Sequence, residues 1–291
     1  MSDRQTSAQI DPTSPSTGGH EVVPDLLVRD IMQAMETIAP AELAEPWDRI
    51  GLQTGDPASP VSGVLIALDL TPDVLQAARR CQANLIICHH PVIFTPLMTL
   101  RHDDPIQKLL IDTVLAHCHV FAAHTNLDAA PGGVADVWAR HVCQALDVQT
   151  TSERLLPVSP YGRLIVLDQE QTLDMIHSAI AASLPGSACR SNLQADRFSF
   201  SRVRRIAAFP GSFPLEVMAD LLKAGIDAVV CGECKYHDGL TLALAGIAAI
   251  SVGHDHSEQP VLGALAARLS GMFPQIPFAV HNGIDYNKQA N

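Results

Sequence analysis

Aromatic residues are scarce in this 291-residue chain, at 4%, so its interior must be built from Ala, Val, Ile and Leu, the usual material of α/β proteins. Positive charge is also thin: 19 Lys and Arg stand against 31 Asp and Glu, for a formal net charge of -12. With no basic or aromatic-interleaved stretch, a nucleic-acid groove is excluded, because phosphate binding needs clustered cations. The longest apolar run, LTLALAGIAAISVG, is too short and too interrupted to span a bilayer. The opening residues, MSDRQTSAQIDPTSPSTGGHEVVP, lack an apolar signal region and read as a disordered tail over residues 1–25. No membrane partner and a cytoplasmic location are expected. The seven cysteines are odd in number and sit mostly in apolar segments, which fits reduced thiols better than a disulfide framework. Only Cys231 and Cys234, in CGEC, are close neighbours, and a zinc ribbon would need a second such pair.

What is abundant is apolar aliphatic sequence: 47% hydrophobic against 17% charged residues, enough for one large domain or two modest ones. Leu26 to Ile38 carries helical periodicity and stops near Pro40, and a turn-rich loop follows through WDRIGLQTGDP. Strand-like SGVLIALDL then leads into Thr71-Pro72, an N-cap with proline at the first helical position. LIICHH is the next strand, Asp104-Pro105 starts the next helix, HVFAAHT is a third strand and GGVADVWARHVCQAL a third helix. A middle region with a helix near Leu173 to Leu184 separates this from a second alternation: RRIAAFP, DAVVCGE and AAISVGHD as strands, each followed by a helix, with IPFAV as a last strand. Short connections between alternating elements imply parallel strands covered on both faces. The expected architecture is two α/β lobes with largely parallel sheets, helices outside, and a site between the lobes at the strand carboxyl ends. The divisions are 26–150 for the first lobe, 151–205 for a connecting region and 206–291 for the second lobe.

Metal-binding groups recur at those strand ends. LIIC is followed by His89-His90, VFAA by His124 to Asp128, AVVC by Glu233 to Asp238, and AISVG by His254 to Glu258. Open parallel sheets bind ligands outside their carboxyl ends. Pro91 ends the strand after the histidine pair, so adjacent imidazoles at a loop mouth can serve two neighbouring ions. If a helix starts near Ser257, Glu258 in its first turn can return toward His254 and bridge two cations. Three imidazoles and two carboxylates suit Zn, Mn, Fe or Co better than Ca or Mg. Two such ions about 3.5–4 Å apart would share a water and acidify it into a hydroxide nucleophile. Glu233, Lys235, Tyr236 and His237 could then hold substrate or move protons, Lys235 favouring an anionic one.

The stretches PAELAEPWDRIGLQTGDP, LIICHHPVIF, AAHTNLDAAPGGVAD, CGECKYHD and SVGHDHSEQP, in this order, resemble the Nif-three-like dinuclear-metal proteins, also called GTP cyclohydrolase 1 type 2 homologs. The resemblance runs from about Val28 to Val280. It implies two divalent ions per subunit held by His89, His90, Asp128, His254 and Glu258, and a toroidal homohexamer whose metal sites open onto an internal cavity. Some members of that family open the purine ring of GTP. Three positions depart from the family pattern: Arg49 where Trp-Asp-Asn is usual, Cys231 where Thr-Gly-Asp or Thr-Gly-Glu is usual, and Asp255 where an apolar residue or Tyr is common.

Each signal alone has a structural explanation. His89-His90 could be satisfied loop histidines, HTNLD an Asx-type turn, and Glu258 a favourable charge at a helix start. Gly132-Gly133 could cradle phosphate or simply turn the chain. His117-x-His119 has chelating spacing but lies away from the strand tips, and Trp47 reads as a packing anchor. Jointly they point to a metal-dependent hydrolase for a nucleotide-like or heterocyclic substrate, with Glu258, Glu233 and His237 in catalytic roles and His124, Lys235 and Tyr236 near the substrate. The alternative is a non-catalytic metal-binding hexamer that acts as a metal buffer, delivery factor or interaction scaffold.

Overall fold

The computed structural model describes residues 26–148, 152–154, 159–192 and 202–283. The tail expected over 1–25 and most of the polar stretch CRSNLQADRFS lie outside the described residues. The first sheet contains β1 (Gly51–Thr54), β2 (Val64–Ala67), β3 (Leu85–Cys88), β4 (His119–Ala122) and β11 (Phe278–Val280), ordered β1-β4-β3-β2-β11. All pairs are parallel except β1 with β4. Every residue of β2 and β3 is buried, as expected for parallel strands covered on both faces. Helices α1 (Val28–Ile38), α2 (Pro72–Arg80), α3 (Pro105–Leu115), α4 (Thr125–Ala129) and α5 (Val134–Ala145) connect or cover this sheet. Thr71 and Asp104 cap α2 and α3 by accepting from the amides of Val74 (3.2 Å) and Gln107 (2.9 Å), each with proline next in sequence.

The second sheet is ordered β5-β6-β8-β9-β10-β7. Its strands are β5 (Ser152–Arg154), β6 (Arg163–Thr172), β7 (Arg190–Ser191), β8 (Arg202–Ser212), β9 (Ala228–Glu233) and β10 (Ala248–Ser251), with β8, β9 and β10 mutually parallel. Helices α6 (Leu173–Ser183), α7 (Met218–Lys223), α8 (Tyr236–Leu244) and α9 (His254–Met272) complete this half. Two lobes of α/β structure are therefore present, as the alternating pattern implies.

The structure differs from the sequence reading in three places. The loop WDRIGLQTGDP contains β1, a four-residue edge strand with a register shift, too short and too rich in turn residues to show a period. The expected connecting region supplies β6 and α6 to the second sheet and its core. The last strand joins β2 in the first sheet, not the second. α9 makes that return possible: 19 residues at about 1.5 Å each carry the chain roughly 28 Å back.

α5 and α9 join the lobes. Val134 and Val137 of α5 pack in the core under the first sheet, while Trp138, Ala139, Val142 and Cys143 pack in the core under the second. The Trp138 indole also donates to the Val230 carbonyl (3.3 Å). α9 sends Val261, Leu262, Leu265 and Leu269 into the first core while its N-terminus rests on β8 and β9. Parallel register finishes the alignment. Ala67, Cys88 and Ala122 lie level on β2, β3 and β4, and Phe209, Cys231 and Ser251 lie level on β8, β9 and β10.

Arg163, at the start of β6, is buried against α5, where its Nε donates to Asp136 and its Nη1 to the carbonyls of Pro160 (2.8 Å) and Gly162 (3.0 Å). Burial pushes the Asp136 pKa up, but the Arg163 hydrogen bond and charge outweigh this and hold it below the ordinary value. Asp136→Asn strands the cation and should cost on the order of 3 kcal/mol in urea unfolding at neutral pH. Because the folded pKa is depressed, the carboxylate's contribution is complete above about pH 3.9 and drains away below it. The gap between wild type and variant should close in that acid range, and a constant gap would contradict the assignment.

Candidate metal centre

Facing strand tips bring the polar groups together. His89 and His90 follow β3, and His124 and Asp128 come from the turn after β4 and from α4. From the other lobe come His254 and Glu258, on the first two turns of α9. α9 starts at His254, three residues before the sequence-expected start near Ser257, so both side chains lie on one helical face. Glu258 is 4% exposed. Its Oε2 lies 3.1 Å from His90 Nε2, and its Oε1 lies 3.2 Å from His254 Nε2 and 3.8 Å from His89 Nε2. His89 Nε2 is also 3.4 Å from Asp128 Oδ1.

Three overlapping groups could each hold a metal ion: His89, Asp128 and Glu258; His90, His254 and Glu258; and His89, His90 and His124. Two observations support the fit. Tetrahedral ligands at about 2.0–2.1 Å from an ion stand about 3.3 Å from one another, close to the 3.1, 3.2 and 3.4 Å separations seen here. His89 Nε2, Asp128 Oδ1 and Glu258 Oε2 are buried and have no partner outside the cluster itself. Polar atoms stranded in this way are costly unless something coordinates them.

The far side of each imidazole is tied down. His89 Nδ1 meets the Ala123 carbonyl (2.8 Å), His90 Nδ1 meets Asp69 (2.9 Å), and His124 Nδ1 meets Asp48 (2.9 Å). A carbonyl or carboxylate oxygen only accepts, so each Nδ1 carries a proton and each Nε2 is the nitrogen turned to the cluster, with a lone pair when the ring is neutral. Asp48 also accepts from the Thr125 amide (3.0 Å) and hydroxyl, which anchors the start of α4.

Glycines make room on the opposite side. Gly211, with φ of 59°, sits at a register shift of β8, and a Cβ there would stand 2.5 Å from Glu258 Oε1. A Cβ on Gly232 would fall 2.4 Å from Ser257 Oγ and 2.5 Å from the Gly211 carbonyl. Ser257 Oγ accepts from the Gly211 amide (2.9 Å) and donates to the His254 carbonyl (2.7 Å), so it stitches α9 to β8.

In the metal-free cluster, proton charge balances the carboxylates. Burial alone would lower the His89 pKa, yet the charges of Asp128 and Glu258 raise it well above the ordinary value. Burial likewise opposes the shift at His90, whose hydrogen bonds to Asp69 and Glu258 bring it to about 9. The Glu258 hydrogen bond raises the His254 pKa. Burial would raise the Glu258 pKa, but His89 and its neighbours hold it well below the carboxylate range.

Not every candidate from the sequence reaches the cluster. Glu233 lies at its edge, accepting from Ser212 Oγ (2.5 Å) with Oε1 3.5 Å from His254 Nδ1. Lys235 and Tyr236 line a different cavity, with Arg190, Asn192 and Cys234, and His237 packs on Tyr236 (ring centroids 5.1 Å). Lys235 caps α8, and Tyr236 and His237 open it. Gly132-Gly133 is a tight turn: a Cβ on Gly133 would stand 1.9 Å from the Leu127 carbonyl, and Asp136 accepts the Gly132 amide (2.6 Å). His119 accepts from the Asp56 amide (3.2 Å), outside the cluster. Trp47 packs on Phe94 and His124 and is 53% exposed.

Asp69 and Asp48 escaped the sequence reading. Asp69 had a signal, since it follows β2 at the same sheet edge as the histidine pair. Asp48 lies in an irregular loop with none. A cavity of about 330 Å³ opens above the cluster, walled by Trp47, Glu45, Tyr161 and Glu216 among others.

The fold and the cluster define a class, a two-lobed α/β protein with histidines and carboxylates grouped where a metal ion could be held. Within it, the chain belongs to the Duf34/NIF3 (NGG1p interacting factor 3) family, whose model matches residues 26–285. Its relatives include the GTP cyclohydrolase 1 type 2 homolog of Clostridium acetobutylicum, 27% identical over 247 residues, covering 84% of this chain and 90% of the relative. That of Lactococcus lactis subsp. lactis is 30% identical over 227 residues, covering 78% and 85%. Among solved structures, a Bacillus cereus protein related to NIF3 superposes with a TM-score of 0.79 at 20% identity, over 89% of this chain and 98% of the other. A Staphylococcus aureus hypothetical protein gives 0.77 at 24% identity, over 90% and 99%. These structures share the fold. No helix among the described residues is long and apolar enough to cross a membrane.

A metal ion takes only neutral imidazole, so loading the chelator-stripped protein with Zn or Mn at neutral pH should expel protons. Apparent affinity should rise with pH as His90 approaches its pKa of about 9. Calorimetry in two buffers of different protonation enthalpy reads the proton count, and identical heats would contradict the linkage. Gly211→Ala, by displacing the Glu258 carboxylate, should weaken binding by about tenfold or more, equivalent to about 1.4 kcal/mol.

Proposed function

We propose that the protein is a dinuclear metal-dependent hydrolase acting on a nucleotide-like or heterocyclic substrate. The observation that carries this reading is Glu258, whose two carboxylate oxygens are shared between the His89–Asp128 side and the His90–His254 side of one buried cluster. In this assignment His89 and Asp128 would hold one ion, His90 and His254 would hold the other, and Glu258 would be available to both. The residue types suit Zn, Mn, Fe or Co. When bound, such a pair would supply Lewis acidity and an acidified water at neutral pH.

The chain's own groups do the rest. The Nδ1 bonds of His89 and His90 fix the ring orientation, so substrate meets a preorganised site. His124 faces the cluster with its outer nitrogen held by Asp48, which suits its ring for holding a proton beside the substrate. Glu233, beside His254, can accept a proton at Oε1. The relatives' name, GTP cyclohydrolase 1 type 2 homolog, supports ring-opening hydrolysis as the reaction type to test first. Assembly as a homohexamer belongs to the same reading. Tyr236, Leu240 and Leu244 form an exposed apolar stripe on α8 that a second subunit could cover.

The test is turnover. Metal-loaded protein screened against nucleotides and small cyclic amides should yield hydrolysed product, and Glu258→Ala should lose about three orders of magnitude in rate, roughly 4 kcal/mol of barrier. Inactivity across the panel with tight metal binding retained would favour a metal buffer, delivery factor or scaffold instead.

A further inference from the structure

We propose that the cavity above the cluster selects a planar, amino-substituted heterocycle without phosphate and discriminates against polyphosphate; this rests on the hydrolase reading. The wall is unusual in its charge. Among the described residues that line it there is no Lys or Arg, while Glu45, Asp128, Glu216 and Glu258 contribute four carboxylates. Two divalent ions would bring four positive charges, which those carboxylates match. No excess cation then remains to draw in a triphosphate.

One backbone amide at the cavity is already engaged. Besides metal ions, phosphates are received by Arg and Lys or by free amides at helix starts. The cavity wall includes the start of α4, whose Thr125 amide is already given to Asp48 Oδ2 (3.0 Å). Lys235 and Arg190 line the other cavity.

What the wall does offer is an aromatic face and acceptors. Trp47 is half exposed, buttressed by Phe94 at 5.9 Å and by His124 at 6.2 Å between ring centroids. A planar ring can stack there. Glu45 is held in place: its amide donates to Thr125 Oγ1 (3.0 Å) and its Oε1 accepts from the Tyr161 hydroxyl (2.6 Å), leaving Oε2 for a ligand. Glu216 is exposed and has no ion-pair partner among the described residues. Ionised carboxylates only accept, so the complementary edge is one rich in N–H donors. An exocyclic amino group beside a ring N–H supplies that edge, and a phosphate does not.

Guanosine, GTP and inorganic triphosphate are suitable probes, titrated calorimetrically into the full-length, Zn- or Mn-loaded protein. Guanosine should bind at least tenfold more tightly than GTP. Glu216→Gln and Glu45→Gln should each narrow that ratio severalfold, by weakening guanosine and relieving repulsion of GTP, with metal content unchanged. Trp47→Ala should weaken guanosine tenfold or more and leave triphosphate unaffected. The proposal is overturned if GTP binds as tightly as guanosine, if triphosphate displaces guanosine as well as GTP does, or if guanosine does not bind. Binding is read without turnover, so the two readings separate. An inert protein that prefers guanosine overturns only the hydrolase, whereas an active protein that prefers GTP overturns only this specificity.

Discussion

The structure turns on one buried carboxylate. Glu258 reaches from the second lobe's long helix into a nest of imidazoles, two of which belong to the first lobe. Burying an unpaired carboxylate there would be prohibitive, and burying His89 unpaired nearly so. Each makes the other tolerable. Glu258 keeps its charge because His89, His90 and His254 surround it, and those rings gain affinity for protons, or for a cation in their place, because it is charged.

That arrangement demands two lobes fixed to within a fraction of an ångström, and the scaffold supplies this through shared helices. α5 is buried around most of its circumference, and α9 lays one continuous buried stripe, from Ser257 to Leu269, across both lobes. Trp138, wholly buried with its indole on the Val230 carbonyl, and the Leu262–Leu265–Leu269 row leave little freedom for one sheet to shift against the other. Dense packing of this kind transmits position faithfully from core to site. Gly211 and Gly232 then let β8, β9 and the first turn of α9 approach more closely than any side chain would permit.

Function follows from an asymmetry in how polar groups are satisfied. On the outside of the cluster the rings of His89, His90 and His124 each have a fixed partner, whereas on the inside His89 Nε2, Asp128 Oδ1 and Glu258 Oε2 meet only the cluster's own groups. Leaving them to one another, beneath a cavity with an aromatic wall, gives the cluster the capacity to hold a cation.

Much of this was legible in the residues alone. Local signals need only a few neighbours: Thr71-Pro72 and Asp104-Pro105 announce helix starts, four-residue apolar runs announce buried strands, and His89-His90-Pro91 announces a strand end carrying metal-type donors. The family motifs named the same donors. What local signals could not show is level and direction. That Ala67, Cys88 and Ala122 share one height depends on hydrogen-bond register between strands distant in sequence. That the last strand returns to the first sheet depends on where α9 finds apolar partners. Lys235 and Tyr236 looked like site residues because they follow a strand tip, yet they line a different cavity. The sequence by itself determined the inventory, which side chains stand at the ends of which elements, because propensity and periodicity act over a few residues. The tertiary structure alone decided which of them meet, because convergence is set by sheet register and by two helices packed between the lobes.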